Sequence, residues 1–293
     1  MKSRFRSAAG NWAIWVCPNR LILLVAASTL LGASPLRAFD PPFLCFSDRT
    51  DRILGIEVEE GGKKRPFHTI VFEEIGSGER FRKLHEVELV NSASPLMRHI
   101  SPDGRFLVTA DDFKSAGIGD ATLVVYDLVR KEHTAWSGKD IFSREVLDSL
   151  KEHRFIKGVT WMNYDGAFNL SSTRFYTTSP ADCREYGLPF VVIDLPKRAV
   201  LIGEVPEKYP PDVLIRKTTK LKRAEFNAHN GWLPSTDHTE SRHGRLLPKR
   251  LLRSWPTDRE NEVYEYEKSS GDYVRVSAGK WTDEDPWSEW KEK

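Results

Sequence analysis

Two stretches of this sequence repeat one strand–turn pattern, and a repeated structural unit limits the fold more than any other feature of the chain. In the first copy the turn 101–105 (SPDGR) leads into the strand 106–109, and the next strand ends at Asp127. In the second copy the segment 174–178 lines up with 105–109, each beginning at an arginine, and the next strand ends at Asp194. The arginine and the aspartate are 22 residues apart in the first copy (105 to 127) and 20 in the second (174 to 194). The repeat predicts a mainly β chain of antiparallel meanders.

The turn 101–105, the strand after it and the strand 124–128 (VVYDL) resemble blades of TolB-type and WD-type β-propellers. The longer stretch from about 67 to 205, with its loop 111–120 (DDFKSAGIGD), looks like secreted bacterial propeller-like proteins without assigned function. The resemblance covers about half the chain and implies no catalytic residues. Two copies are too few to close a propeller of 4–8 blades. The expected fold is therefore a partial or degenerate propeller, or an open meander or small sandwich built from blade-like pieces.

One short helix is expected between the two copies. Ser143 is a suitable N-cap, and Val146, Leu147 and Leu150 have the spacing of a buried helical face. The blade-like β domain is predicted to span 39–206.

The N-terminal residues 1–38 have the pattern of an export signal. No acid precedes Asp40, and an apolar run of 11 residues (21–31) follows basic residues. A spanning helix needs about 20 apolar residues, so the run suits a cleaved signal better than a membrane anchor. We expect cleavage after Ala38 and a periplasmic or extracellular protein. An uncleaved leader would instead tether the chain to the membrane.

The C-terminal third divides into two blocks of opposite charge. Residues 216–253 carry ten Lys/Arg and three acids, whereas 257–293 carry six Lys/Arg and eleven acids. We predict a basic linker-like segment at 207–256 and an acidic, Trp-rich tail at 257–293, the less ordered extension of the fold. Within the tail, 262–276 reads as a hairpin. The alternative is that the two blocks fold against each other or dock on a charged surface.

Without the leader the chain has 39 basic and 42 acidic side chains, a net charge of −3. This balance gives no reason to expect nucleic acid as a partner. A protein, or an anionic surface polymer at the basic block, is the expected partner.

Three aspartates are the best candidates for a metal site: Asp111, Asp112 and Asp120. They flank a loop with two glycines, and carboxylates of this kind suit Ca²⁺. The alternative is an ordinary turn in which aspartates bond their own backbone. No other cofactor is predicted.

A second cluster combines three histidines with two acids, but its spacing matches no zinc motif. It comprises His229, Asp237, His238, Glu240 and His243.

Cys45 and Cys183 are the two cysteines that remain once Cys17 is removed with the leader. In an oxidising compartment they are candidates for a disulfide. The alternative is two unrelated buried thiols.

No catalytic motif is present, and in particular no GxSxG elbow. We therefore expect an exported non-catalytic β module for binding or structural interaction. The alternative is an exported hydrolase or lyase that uses carboxylates such as Asp111, Asp112 and Asp120.

Overall fold

A computed structural model describes residues 43–59, 67–91, 95, 97–110, 122–157, 166–214, 232–235, 237–242, 244–255 and 260–280. These residues form mainly strands, with three helices. The first twelve strands are β1 Phe43–Ser47, β2 Ile53–Glu59, β3 Phe67–Ile75, β4 Arg80–Glu88, β5 Met97–Ile100, β6 Phe106–Ala110, β7 Leu123–Asp127, β8 Glu132–Trp136, β9 Ala167–Phe168, β10 Arg174–Tyr176, β11 Phe190–Asp194 and β12 Ala199–Gly203. The remaining strands are β13 Trp232–Pro234, β14 His238–Glu240, β15 Leu246–Pro248, β16 Arg250–Trp255, β17 Glu260–Glu267 and β18 Asp272–Lys280, and the helices are α1 Gly138–Ile141, α2 Arg144–Lys157 and α3 Pro180–Tyr186.

The strands form four antiparallel meanders of four strands each. Three of them follow the chain order, β1 to β4, β5 to β8 and β9 to β12, and the fourth contains β13, β16, β17 and β18. The first and fourth meanders share one eight-stranded sheet, because β4 pairs with β18. The short strands β14 and β15 pair with each other. The predicted fold of blade-like antiparallel meanders is confirmed.

The eight-stranded sheet is curled, and its two outermost strands β1 and β13 have Cα atoms within 8 Å of each other. Its interior is filled by one apolar cluster in which Phe81 makes edge contacts with Trp232 and Tyr264, at ring-centre distances of 4.9 and 5.1 Å. The buried Tyr264 hydroxyl donates a hydrogen bond to the Gly78 carbonyl (2.9 Å). The curl lets this sheet bury its inner face against itself.

The β5–β8 sheet is covered on both faces. Phe106 and Val108 belong to the core shared with the β9–β12 sheet, whereas Leu107 between them packs against the curled sheet. In β7, Val125 and Tyr126 divide between the same two cores. Alternate residues of a strand point to opposite faces, so burial on both sides requires the continuous apolar runs FLVTA and LVVYD.

Three turns have the same geometry, which extends the predicted repeat to a third copy. In each turn a side-chain oxygen accepts a hydrogen bond of 2.8 Å from the backbone N–H five residues later; the accepting residues are Asp48, Ser101 and Asn169. The residue three positions after each of them has a left-handed backbone, with φ of 58, 68 and 53° at Asp51, Gly104 and Ser172. Each such turn connects the first two strands of a meander.

Short and long connections lie at opposite ends of the meanders, because successive antiparallel strands reverse direction. At one end the links are the five-residue turns just described and four-residue turns such as 128–131 and 195–198. At the other end the links include 111–122, 177–189 and 204–231. Variable loops of this kind are where β proteins usually place their binding residues.

The predicted inserted helix is α2, in the link between β8 and β9. Leu147 and Leu150 are buried as expected, whereas Val146 is 36% exposed and was wrongly placed on the buried face. The Leu147 N–H donates to the Ser143 carbonyl (3.0 Å), in agreement with a helix start at this serine. The helices α1 and α3 were not predicted.

The described C-terminal residues correct the prediction of a linker-like segment at 207–256. The predicted hairpin is present as β17 and β18. However, the described part of 207–256 supplies β13 to β16, and its Trp232 and Leu251 are buried in the curled sheet. Opposite charges on β16 and β17 face each other, as in the pair Arg250–Glu265 (3.3 Å). In their described parts, β16 and β17, the two charge blocks therefore pair with each other, as one alternative predicts. Residues 281–293 lie outside the described residues.

Candidate functional site

The three candidate calcium ligands, Asp111, Asp112 and Asp120, lie outside the described residues, as does the leader 1–38. The structure does place both ends of their loop: Ala110 pairs with Leu123 at the end of the β5–β8 sheet that carries the long connections. The calcium site stays a prediction.

The structure gives no support to a metal site at the histidine cluster. His229 and His243 lie outside the described residues. Asp237 and His238 are exposed, and Glu240 points to Lys268 at 3.9 Å. Among the residues that the structure describes, no group of three or more His, Cys, Asp or Glu side chains could hold a metal ion.

The candidate disulfide between Cys45 and Cys183 is not formed. Both are buried free thiols, and they belong to different core clusters, one inside the curled sheet and one beside α3. Burial raises the pKa of the Cys183 thiol to about 11, with a smaller contribution from Asp182. Burial also raises the pKa of Cys45 far above its ordinary value. Both thiols therefore behave as small apolar side chains, the alternative that the sequence left open.

A buried ion pair joins the curled sheet to the β5–β8 sheet. Arg98 donates two hydrogen bonds to Glu57, one of them 2.8 Å from Nη2 to Oε1, and the two side chains are only 6% and 4% exposed. Close by, the Asn91 side-chain oxygen accepts hydrogen bonds from Thr109 and Tyr126, both at 3.0 Å. These groups are enclosed between two sheets, so we assign them to the packing of the sheets.

A second buried cation, Arg253, lies inside the curled sheet. It is 3.8 Å from Glu74 and 3.6 Å from Glu262, and its guanidinium carbon is 5.3 Å from the centre of the Trp232 ring. Its side chain is only 7% exposed. Aromatic and charged groups of this kind could bind a sugar or a cation at a surface, but here they are enclosed by the sheet. They stabilise its interior.

His99 is the most strongly perturbed histidine of the described residues. Burial, together with the charge of Arg49, lowers its pKa to about 3. Its ring lies 5.1 Å from that of Phe175, and Arg49 donates to the Gly166 carbonyl (2.9 Å). An imidazole that stays neutral down to such a low pH lacks the near-neutral pKa of an efficient general acid or base.

A shallow cleft of about 370 Å³ lies at the end with the long connections. Val146 and Ser149 of α2 form one wall, and Gly187, Leu188 and Pro189 after α3 form the other. Glu145 is the single ionisable side chain of its lining. One exposed carboxylate provides neither an acid–base pair nor a nucleophile with its base, so the cleft supports binding more than catalysis.

The strand β12 presents an exposed apolar edge. It lies at the edge of the β9–β12 sheet, and two of its apolar side chains are strongly exposed, Leu201 at 46% and Ile202 at 53%. Edge strands usually avoid exposed apolar residues, because unpaired N–H and C=O groups attract other strands. The sequence analysis missed this feature, since sequence alone does not say which strand of a sheet lies at its edge.

The direction of the β12 backbone groups follows from its neighbours. The Val191 carbonyl of β11 accepts a hydrogen bond from the Thr177 N–H and so points away from β12. Because hydrogen-bonding direction alternates along a strand, Val192 faces β12 and pairs with Leu201. The N–H and C=O groups of Val200 and Ile202 therefore point outward, to the side where no described strand pairs.

Comparisons with known proteins do not identify a family. No protein-family model matches the sequence, and no curated protein matches it. Among solved structures, a protein from Lactobacillus plantarum has a TM-score of 0.27 at 9% identity, with 80% of this chain and 54% of that chain covered. The Pseudomonas aeruginosa periplasmic gluconolactonase PpgL has a TM-score of 0.29 at 10% identity, covering 86% and 61%. The WD40 repeats of RRP9 have a TM-score of 0.26 at 11% identity, covering 83% and 82%.

This chain thus spans little more than half the length of the first of these structures. At such TM-scores and identities the likenesses assign no activity to it. Among the described residues, no helix has the length and apolar character needed to cross a membrane.

Proposed function

We propose that this chain is an exported module that binds another protein through the edge of β12 and catalyses no reaction. The exposed apolar edge of β12 is the observation that carries the proposal. An added strand would gain main-chain hydrogen bonds from Val200 and Ile202, and Leu201 and Ile202 would supply apolar contacts. Export is proposed from the leader 1–38.

A comparison with β8 supports the choice of β12. β8 is an edge strand of the neighbouring β5–β8 sheet, and its sequence EHTAW begins with three polar residues, of which Glu132 and His133 are exposed. Charged and polar residues of this kind discourage pairing with another chain. The sequence of β12, AVLIG, contains no charge and no proline. Of these two edges, β12 is the one suited to receive a strand.

Capture of binding partners from envelope and secreted fractions tests the proposal. The wild-type chain should recover a protein partner that Ile202→Lys no longer recovers, because a buried ammonium on the added edge is costly. Val276→Lys is the matched control, since Val276 (56%) is about as exposed as Ile202 (53%) but lies on β18. Capture that is unchanged by Ile202→Lys contradicts the proposed site. A hydrolase or lyase activity lost on replacing Asp111, Asp112 and Asp120 by Ala contradicts the non-catalytic function.

N-terminal sequencing tests export. We expect a mature chain that begins after Ala38 in the periplasmic or extracellular fraction. An intact leader on a membrane-bound chain would instead indicate a tethered module.

A further inference from the structure

We infer that the partner at β12 is a second copy of this chain, joined to the first by antiparallel pairing of the two β12 strands; this inference rests on the proposed function. Two copies would be related by a twofold axis, so each would present the same surface to the other. The β9–β12 sheets of the two copies would then form one continuous eight-stranded sheet.

The outward backbone groups limit the register of this pairing. Val200 and Ile202 direct their N–H and C=O groups away from β11, so residues with outward groups must lie opposite each other, and in the proposed register Val200 of one copy lies opposite Ile202 of the other. Both Val200–Ile202 pairs are then hydrogen-bonded pairs, in which each residue exchanges two backbone hydrogen bonds with its partner. Leu201 falls on the twofold axis, opposite Leu201 of the second copy, in a non-hydrogen-bonded pair.

This register also brings opposite charges together. Arg198 immediately precedes β12, and Glu204 immediately follows it. With Leu201 on the axis, Arg198 of each copy lies opposite Glu204 of the other. Arg198 already contacts Glu132 of its own chain, and Glu204 is exposed. Arg198 ends the turn before β12, with a left-handed backbone (φ 52°), so this contact lies at the two ends of the paired strands. Opposite charges there favour the pairing, and the twofold symmetry provides the contact twice.

The same register covers the exposed apolar side chains. Val200 is partly buried against the core of the β9–β12 sheet, and Ile202 lies on the same face of the strand. In the dimer, Ile202 of the second copy lies beside Val200 and extends that core across the edge. The two Leu201 side chains meet on the opposite face. A five-residue strand buries less surface than a permanent dimer interface, so we expect a reversible dimer with a dissociation constant roughly in the micromolar range.

The first experiment measures the mass of the mature chain by sedimentation and by light scattering over a wide range of concentration. The mass should double as the concentration rises through the dissociation constant. Glu204→Lys should weaken the dimer about tenfold, because it places a lysine opposite Arg198 at two symmetric positions. Glu207→Lys, an equal change of charge at another exposed residue, should leave the dimer unchanged. A mass that stays monomeric at every concentration overturns the inference.

The second experiment tests the register by disulfide formation. In Leu201→Cys the two introduced cysteines face each other on the axis, with Cα atoms about 4.5 Å apart, close enough for a disulfide. Gly203→Cys is the control. The structure tolerates this substitution, because a Cβ at residue 203 would meet nothing within 4 Å. In the dimer, however, the two copies of residue 203 lie on opposite sides of the axis and are too far apart for a disulfide. Mild oxidation should cross-link Leu201→Cys and not Gly203→Cys. Equal cross-linking of both variants, or of neither, overturns the inference.

The two proposals fail in different ways. If the wild-type chain is monomeric, but Ile202→Lys still abolishes capture of a different protein, the second-copy inference is wrong and the proposed binding module stands. If the chain is monomeric and capture does not depend on Ile202, both are wrong.

Discussion

The buried histidine His99 should make the stability of this protein depend on pH. In the folded chain its pKa is lowered to about 3 by burial and by Arg49, against 6.5 for an ordinary histidine. At a pH between about 3 and 6.5, therefore, His99 is protonated in the unfolded chain and neutral in the folded chain. The stability that His99 contributes is fully present above the unfolded pKa and is lost as the pH falls through 6.5 towards 3.

The size of the loss follows from the two pKa values. At about pH 5, protonation stabilises the unfolded chain by RT ln(1 + 10^1.5), or about 2 kcal/mol, while the folded histidine remains neutral. Urea unfolding at about pH 8 and pH 5, followed by tryptophan fluorescence, measures this difference. In His99→Gln the loss between the two pH values should be smaller by about 2 kcal/mol than in the wild type.

The matched control is His238→Gln, which replaces an exposed histidine on β14 and should keep the wild-type pH dependence. If His99→Gln and the wild-type chain lose the same free energy of unfolding, the argument from burial is refuted. Titration of His99 near its ordinary pKa in the folded chain, observed by NMR, would refute it as well.

Three further predictions concern the packing. Arg98→Met should lower the free energy of unfolding, measured in urea, by about 3–5 kcal/mol, because it leaves the Glu57 carboxylate buried without its main cation. The double variant Arg98→Met with Glu57→Leu should recover most of this loss. Gly55→Ala should cost about 1–3 kcal/mol, measured as a lower Tm, because the added Cβ would lie 2.3 Å from a phenylalanine ring. Cys45 and Cys183 should react with a thiol reagent only after unfolding, and rapid reaction of the native protein would contradict their burial. Peptide mapping without a reducing agent should find no disulfide between them.

The repeat was predictable where its two copies carry the same type of residue at equivalent positions. Arg105 immediately precedes β6 and Arg174 begins the equivalent strand β10, and Asp127 and Asp194 end equivalent strands, as the sequence predicts. The third copy was not predictable, because a carboxylate at Asp48 performs the hydrogen bonding that a hydroxyl and an amide perform in the other copies. Side chains of different chemistry can satisfy the same backbone groups, so a geometric repeat need not be a sequence repeat.

The position of the C-terminal strands and the candidate site at β12 could not be predicted from the sequence for a related reason. Polar and basic residues around Arg250 and Arg253 predict a linker when they are considered alone. In the sheet they face the acids Glu262 and Glu265 of the following strand, which offset their charge. Similarly, the sequence of β12 predicts a strand, but only the pairing of the whole sheet shows that this strand lies at its edge.

The pairing of β4 with β18 has a consequence for how the molecule is made. The contact between Arg80 and Asp272 joins residues 192 positions apart in the chain. A sheet closed by such a distant partner folds late, since most of the chain must be synthesised before its last described strand can add to β4. Until then the first meander has an unfinished edge and an open interior.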